Sequence, residues 1–136
     1  MANSKESRVR YRNKRLSTQR GHVEHLMCNA KQRAKRKGIE FDLSLDYLVS
    51  IATQCCPILG IELSWGKRNG VQQDHSPSLD KIDPEKGYIE GNVMWLSQRA
   101  NTLKGNGTAE EHRMIAEFLN TSQPFDKCLL SRATSP

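Results

Sequence analysis

Among the side chains of the second half of the sequence that offer an oxygen ligand, four could converge on one site: Asp80, Asp83, Asn92 and Asn101. Each lies at the boundary of a predicted strand or helix, so a hairpin followed by a helix can bring them together. Carboxylate and amide oxygens suit Mg²⁺, which keeps several waters when a protein binds it. Such a cation neutralises charge on phosphate and leaving oxygen when a phosphodiester is cleaved. The pattern therefore favours metal-assisted phosphodiester chemistry.

The elements that must position these groups are predicted within residues 76–104. Alternating apolar and polar residues predict a strand at 78–83, and the apolar run at 93–96 predicts a second strand antiparallel to it. Residues 97–104 are predicted to form a short helix. Strand, loop, strand and short helix, with acids and amides at the turns, are the plan of a ββα-metal site.

The N-terminal region predicts a polyanionic partner. Residues 1–38 hold twelve Lys or Arg against two Glu, whereas residues 39–136 hold nine Lys or Arg against thirteen Asp or Glu. A basic arm on a mildly acidic body suits nucleic acid, although a solvated tail has the same composition. Residues 1–16 are so poor in apolar side chains that we expect a flexible arm.

A basic helix is predicted at 18–37, with Ser17 or Thr18 as its cap and Gly38 at its end. Its basic residues can lie along a phosphate backbone or serve only as a solubilising surface. His22 and His25 are expected on the surface of this helix or facing DNA. The basic residues in question are Arg20, Lys31, Arg33, Lys35 and Arg36.

A chain of 136 residues has room for one modest core, so we predict a small single α+β domain at 17–120 with flanking helices. Residues 121–136 are expected to be a loose tail. Thr108 and Glu111 form a capping box for a final helix. Its apolar stripe is expected to be buried and consists of Met114, Ile115, Phe118 and Leu119.

Several classes of protein are disfavoured by composition. The cysteines, at positions 28, 55, 56 and 128, form no C-x-x-C pair, so we expect no structural zinc and free thiols in a reducing cytoplasm. No apolar run approaches the length of a membrane span, and no signal-peptide pattern opens the chain. These observations predict a cytoplasmic protein without a membrane partner.

Two intervals at the end of the predicted core match a known family. Asn101 follows Asn92 by nine residues, and Lys104 follows Asn101 by three. Residues 92–104 thereby resemble the second half of the HNH endonuclease motif. The preceding Ser-Leu-Asp-Lys-Ile-Asp and Gly-Tyr resemble the subgroup common in phage genomes, and Cys-Pro-Ile-Leu-Gly-Ile-Glu-Leu does so too. The resemblance covers about residues 33–120.

The resemblance implies a DNA endonuclease that uses Mg²⁺ or Mn²⁺, acting in the host cytoplasm if a phage encodes it. Asp80 and Asn101 match the positions that hold the metal, and Asp83 is a further candidate ligand. Asn92 matches a residue that orients the base and steadies the loop, and capping the strand or loop is an equally compatible role. Contacts to DNA are expected from the five basic residues of helix 18–37 and from Arg99 and Lys104.

The general base is where the sequence departs from the family. HNH sites have His directly after the first Asp, and here Lys81 follows Asp80. Neighbouring carboxylates favour the charged form of a Lys, so Lys81 suits a phosphate contact better than a base. His75 needs little tuning for that role and is our candidate. A water activated by metal or by substrate remains an alternative.

Two other classes of function fit parts of the sequence. A catalytically inactive module with the same fold would bind nucleic acid, as the missing His after Asp80 suggests. An accessory protein that uses its basic arm to join a larger complex would bind no divalent ion.

Overall fold

The computed structural model describes residues 4–66 and 73–121 of the 136-residue chain. The fold class is α+β, as predicted. One compact unit ends at Leu103 and a second begins at Lys104, a boundary inside the predicted single domain 17–120. Apart from Thr121, the predicted tail lies outside the described residues. Along the described chain the elements are α1 (Lys5–Leu16), α2 (Gln19–Lys37), β1 (Phe41–Asp42), α3 (Leu45–Ser50), β2 (Pro77–Lys81), β3 (Tyr88–Ile89), β4 (Val93–Ser97), α4 (Gln98–Lys104) and α5 (Ala109–Thr121).

The basic N-terminal segment is helical from residue 5, an element that the sequence did not predict, while the flexibility expected of an arm over 1–16 stays a prediction. The side chain of Ser4 caps the first turn of α1. Leu16, at the other end, is buried, and Arg15 pairs with Glu24 of α2 at 3.4 Å. Composition alone missed this helix because a shortage of apolar residues does not exclude a helix rich in Lys and Arg, which are good helix formers.

The boundaries of α2 confirm the predicted signals. Thr18 accepts a hydrogen bond from the N–H of Gly21, and Gly38 ends the helix in the left-handed region at φ 65°. Gly21 also lies at the closest approach of the N-terminal segment, where a Cβ would be 1.8 Å from the carbonyl oxygen of Arg15. The core-facing side of α2 is formed by Val23, Ala30 and Ala34.

A short parallel pair joins the first half of the chain to the hairpin region. Phe41 of β1 lies opposite Tyr88 of β3. Ser44 caps α3 through the N–H of Tyr47. The hydroxyl of Tyr47 in turn accepts a hydrogen bond of 2.8 Å from the N–H of Gly91. α3 is thereby tied to the loop that precedes β4.

The antiparallel hairpin of β2 and β4 crosses the core, with Leu79 opposite Trp95. Trp95 is 1% exposed, and its Nε1 donates a hydrogen bond of 3.0 Å to the carbonyl of Leu48. Trp65 packs edge-to-face on Trp95, with ring centroids 5.0 Å apart. Both tryptophans belong to the core or its edge.

The second unit contains α5, and its capping box is confirmed. Thr108 Oγ1 accepts from the N–H of Glu111, whose carboxylate accepts from the N–H of Thr108. The predicted burial of its apolar stripe is wrong, because Ile115, Phe118 and Leu119 are exposed. An amphipathic stripe requires a covering partner, and the described part of this unit, residues 104–121, holds no further helix or strand to supply one.

Among residues 4–66 and 73–121, no helix is both long enough and apolar enough to span a membrane.

Candidate functional site

The strand β2 presents chemically different side chains on its two faces. Alternation along a strand places Ser78 and Asp80 on one face, with Leu79 and Lys81 on the other. Leu79 is buried in the core, whereas Ser78 and Asp80 are only half-buried. We call the side with Ser78 and Asp80 the polar face of β2.

The start of α4 is fixed against the residues that precede β2. Ser97 caps the helix through the N–H of Ala100. The N–H of Gln98 donates to the carbonyl of Ser76 at 2.8 Å, and the next N–H donates to the carbonyl of Asp74 at 3.1 Å. These bonds hold α4 across the beginning of β2.

Asn101 reaches the polar face directly. Its Nδ2 donates a hydrogen bond of 3.1 Å to Ser78 Oγ. Asp80 lies two residues further along the same face, a distance of about 7 Å between Cα atoms. The structure therefore brings the predicted ligands Asp80 and Asn101 to the same side of the hairpin.

The donor chemistry of this pair fits a hard divalent cation. Asp80 offers a carboxylate, and Asn101 offers an amide oxygen because its Nδ2 is directed to Ser78. Mg²⁺ is commonly held by one or two protein oxygens together with waters. In the part of the chain that the structure describes, no group of three or more His, Cys, Asp or Glu could hold a metal ion. Two protein oxygens would leave most positions around such an ion to water and substrate.

Asn92 closes the loop between the two strands of the hairpin. It is buried, and its Oδ1 accepts from the N–H of Asp83 at 2.9 Å. Its Nδ2 donates to the carbonyls of Asp83 and Gly87 at 3.1 and 2.9 Å. Every contact of Asn92 named here is to loop backbone, so its geometry fits the loop-steadying role rather than contact with a reacting group.

Asp83 and Lys81 lie away from the polar face. The Asp83 carboxylate accepts from the N–H of Glu85 at 2.9 Å and so shapes the turn after β2. The Nζ of Lys81 lies 3.4 Å from the carbonyl oxygen of Pro84 and 5.4 Å from the ring centroid of Tyr88. Strand alternation separates Lys81 from its neighbour Asp80, and the turn carries Asp83 to the far end of the hairpin from Ser78.

His75 lies on the segment that leads into β2, directly after Asp74, whose carbonyl binds the N-terminus of α4. Its Nδ1 is 3.2 Å from the carbonyl oxygen of Glu62. A carbonyl only accepts, so Nδ1 carries the proton and the lone pair of the neutral ring is on Nε2. The backbone carbonyl of His75 accepts from both the N–H and the hydroxyl of Ser64. The ring thus has the tautomer that a general base requires.

The basic residues of α2, which the sequence offered together as DNA contacts, do not share one face of the helix. At about 100° per residue, Arg33 lies roughly 200° around the helix from Lys31 and from Lys35. Arg20 pairs with Asp46 of α3 at 2.8 Å. Arg36 is exposed one turn after Arg33.

Arg99 is exposed near the start of α4, and its backbone N–H is the second of the two that bind the residues before β2. Lys104 is the last residue of α4 and belongs to the second unit. Its backbone carbonyl accepts from His112 Nε2 at 2.8 Å.

Sequence reasoning missed one member of this region and misplaced another. Ser78 was not singled out, although it precedes Asp80 by the two-residue interval of a shared strand face. His22 was expected on the surface, and it is 2% exposed. Its Nδ1 accepts from the N–H of Gly66 at 3.1 Å, a contact over 44 residues that no local pattern indicates.

The comparison with curated proteins found a similar phage protein. Over 90 residues the chain is 31% identical to the "Uncharacterized 29.0 kDa protein in dda-modA intergenic region" of Enterobacteria phage T4. The matched part is 65% of this chain and 33% of the T4 protein, so the chain corresponds to about a third of that relative. No family model and no solved structure matches the chain.

Proposed function

We propose that this chain is a DNA endonuclease of the HNH type that depends on Mg²⁺ or Mn²⁺. The observation that carries the proposal is the hydrogen bond from Asn101 to Ser78. It brings the amide of the helix to the strand face that carries Asp80. Strand, loop, strand and helix occur in the order that such a site needs, with an oxygen ligand on the first strand and another on the helix.

The Asp80 carboxylate and the Asn101 amide oxygen would hold the cation. When bound, the ion supplies charge stabilisation for the phosphate and the leaving oxygen. Ser78 orients Asn101 by accepting from its Nδ2, so the amide oxygen is directed away from Ser78. Orientation of this kind tunes the affinity of a ligand for its metal.

His75 is our candidate for the general base. The carbonyl of Glu62 holds the proton on Nδ1, so the Nε2 atom accepts the proton of the attacking water. Lys81 and Asp83 act through the loop instead, where they bind backbone groups rather than reacting ones. Asn92 positions that loop.

DNA is the substrate that the charge distribution favours. Both N-terminal helices are rich in Lys and Arg, and residues 1–38 hold only two acidic side chains. Basic side chains on exposed helices bind the backbone without reading sequence. The likeness to a T4 protein supports an origin in a phage genome, and action in the host cytoplasm follows from that proposal.

Nicking of supercoiled plasmid DNA tests the proposal. Wild type is expected to convert the plasmid to open circles with Mg²⁺ and not with EDTA. Asp80→Ala and His75→Ala should each reduce the rate at least about a hundredfold, because a metal ligand and a base are lost. Asp42→Ala, which removes an exposed carboxylate from β1, is the matched control and should nick normally.

The alternative is an HNH-fold module that binds DNA without cutting it. The observation that favours it is Lys81, which stands where the family has His and whose Nζ lies over the ring of Tyr88. A wild-type protein that shifts DNA on a gel and never nicks it would support the module. Normal nicking by His75→Ala would show that His75 is not the base.

A further inference from the structure

We infer that the cleft between α2 and β2 is a phosphate subsite, which holds a backbone phosphate of DNA beside the polar face. The inference rests on the proposed function for the identity of its occupant. It specifies where a phosphate binds and which side chains bind it, neither of which follows from the basic charge of the N-terminal region.

The cleft lies within the first unit and has a volume of about 190 Å³. That space is many times the roughly 10–15 Å³ that a single bound water needs on this measure, and it is enough for a phosphate group. The α2 side of the cleft is a single stripe of residues three or four apart. It consists of His22, Leu26, Asn29 and Arg33, and residues 76–79 line the other side.

The polar groups that line the cleft favour an anion. Arg33 contributes a guanidinium, and Ser76 and Ser78 contribute hydroxyls that can still donate while each accepts one bond, and no lining residue is acidic. Asn29 adds an amide, whose Nδ2 also lies 3.4 Å from His25 Nε2. Within the described ranges, 4–66 and 73–121, no carboxylate forms an ion pair with Arg33. An arginine with several neutral donors beside it is the usual composition of a phosphate site.

The position of the cleft links it to the polar face. Ser78 lines the cleft and also accepts the hydrogen bond from Asn101. Asp80 follows two residues later on the same strand. A phosphate bound by Arg33 would therefore belong to a nucleotide next to the reacting one, and it would fix the register of the strand.

The other side of α2 provides the internal contrast. Lys31 and Lys35 are exposed and lie about 200° around the helix from Arg33, away from the cleft. They carry the same charge on the same helix. If the helix bound DNA only through its overall charge, removing Lys35 would cost as much as removing Arg33.

Fluorescence anisotropy with a labelled DNA duplex in EDTA tests the cleft without any cleavage. Arg33→Gln is expected to weaken binding about tenfold and to reduce the slope of log affinity against log salt by about 0.9, as for one lost phosphate contact. Lys35→Gln should change the affinity by less than about threefold. Equal effects of the two variants would overturn the inference.

A second variant covers the case in which Arg33→Gln fails to fold. Asn29→Asp places a carboxylate in the cleft and should weaken duplex binding at least as much, whereas Arg33→Lys should recover part of the affinity. Unchanged binding by Asn29→Asp would contradict the inference.

Inorganic phosphate serves as the second probe, followed through the backbone amide signals of residues 29 and 78 by NMR. Its binding there, with duplex affinity unaffected by Arg33→Gln, would assign the cleft to a free anion and overturn the DNA subsite. The same measurements separate the subsite from the nuclease proposal. If Arg33→Gln weakens duplex binding and Lys35→Gln does not, the subsite is supported, even if wild type never nicks a plasmid. Conversely, normal nicking by Arg33→Gln with unchanged duplex affinity removes the subsite and leaves the nuclease proposal standing.

Discussion

The two faces of β2 differ in what their side chains do, although they alternate along one five-residue strand. The inner face packs Leu79 against Trp95, and it ends at Lys81, whose Nζ lies over the ring of Tyr88. The polar face carries Ser78 and Asp80 and meets Asn101 of α4. The inner face therefore packs in the core. The polar face is buried at Leu96, opposite Ser78, and its half-buried Ser78 and Asp80 carry the groups that could do chemistry.

This difference shows that adjacency in sequence misleads on a strand. Asp80 and Lys81 are neighbours in the chain but point to opposite faces. Asp80 and Asn101 are 21 positions apart and share a face. The phosphate contact expected of Lys81, because it follows Asp80 in the sequence, therefore does not follow from the fold. The groups that converge on the polar face are Ser78, Asp80 and Asn101.

The largest expected effect on stability comes from breaking the inner face. Trp95→Ala should reduce the free energy of unfolding by about 3–5 kcal/mol, because it removes a fully buried ring and the hydrogen bond to Leu48. Met94→Ala, on the polar side of the same strand and half-buried, should cost about 1 kcal/mol. Urea denaturation measures both, and similar costs would contradict the division of faces.

Asn92 tests the loop that joins the two strands. Asn92→Ala should cost about 1–3 kcal/mol of unfolding free energy. It leaves the half-buried N–H of Asp83 without its acceptor and removes one of the two donors to each of the carbonyls of Asp83 and Gly87. Asn13→Ala, on the exposed surface of α1, is the control and should change stability little. A cost for Asn92→Ala no greater than that of the control would show that the loop does not depend on it.

The buried thiol of Cys56 makes the stability of the core depend on pH. Burial acts to raise the pKa of its thiol, but hydrogen bonds from the backbone at Leu59 and from Ser97 outweigh burial and lower it from 9.0 to about 7. A depressed pKa stabilises the folded state fully above pH 9, and this contribution is lost as pH falls through 7. Stability should therefore rise between pH 7 and 9 by on the order of 2 kcal/mol.

Denaturation of Cys56→Ser and Cys55→Ser across that range tests the assignment. Cys55 is the exposed neighbour, so its variant should keep the rise in stability while Cys56→Ser loses it. Retention of the rise in Cys56→Ser would assign it to another group.

Ser78 is expected to affect folding least. Ser78→Ala removes one half-buried hydrogen bond, with a cost of about 1 kcal/mol. If Asn101 holds a cation, losing its orienting partner should weaken Mn²⁺ binding about tenfold in a calorimetric titration. Unchanged Mn²⁺ affinity in this variant would separate Ser78 from the metal site.

Local signals in the sequence predicted most of the elements. The cap at Thr18, the glycine at 38 and the capping box at Thr108 are all confirmed. The hairpin and the helix after it also lie within a few residues of their predicted bounds, because each signal depends on neighbours in the chain.

Features set by tertiary contact could not be predicted in this way. The burial of His22 depends on Gly66, and the orientation of Asn101 depends on Ser78. The apolar stripe of α5 was predicted to be buried and is exposed. Periodicity indicates that a helix has an apolar side, but it does not indicate what covers that side. The division of the basic residues of α2 between two sides follows from helix geometry and was available from the sequence alone.

The most direct test of the central claim compares two adjacent residues on opposite faces of β2. In plasmid nicking with Mg²⁺, Asp80→Asn should reduce the rate at least about a hundredfold, because a neutral amide replaces the charged ligand. Lys81→Gln should nick within a few-fold of wild type. Equal losses in the two variants, or a wild type that never nicks, would contradict the assignment of catalysis to the polar face.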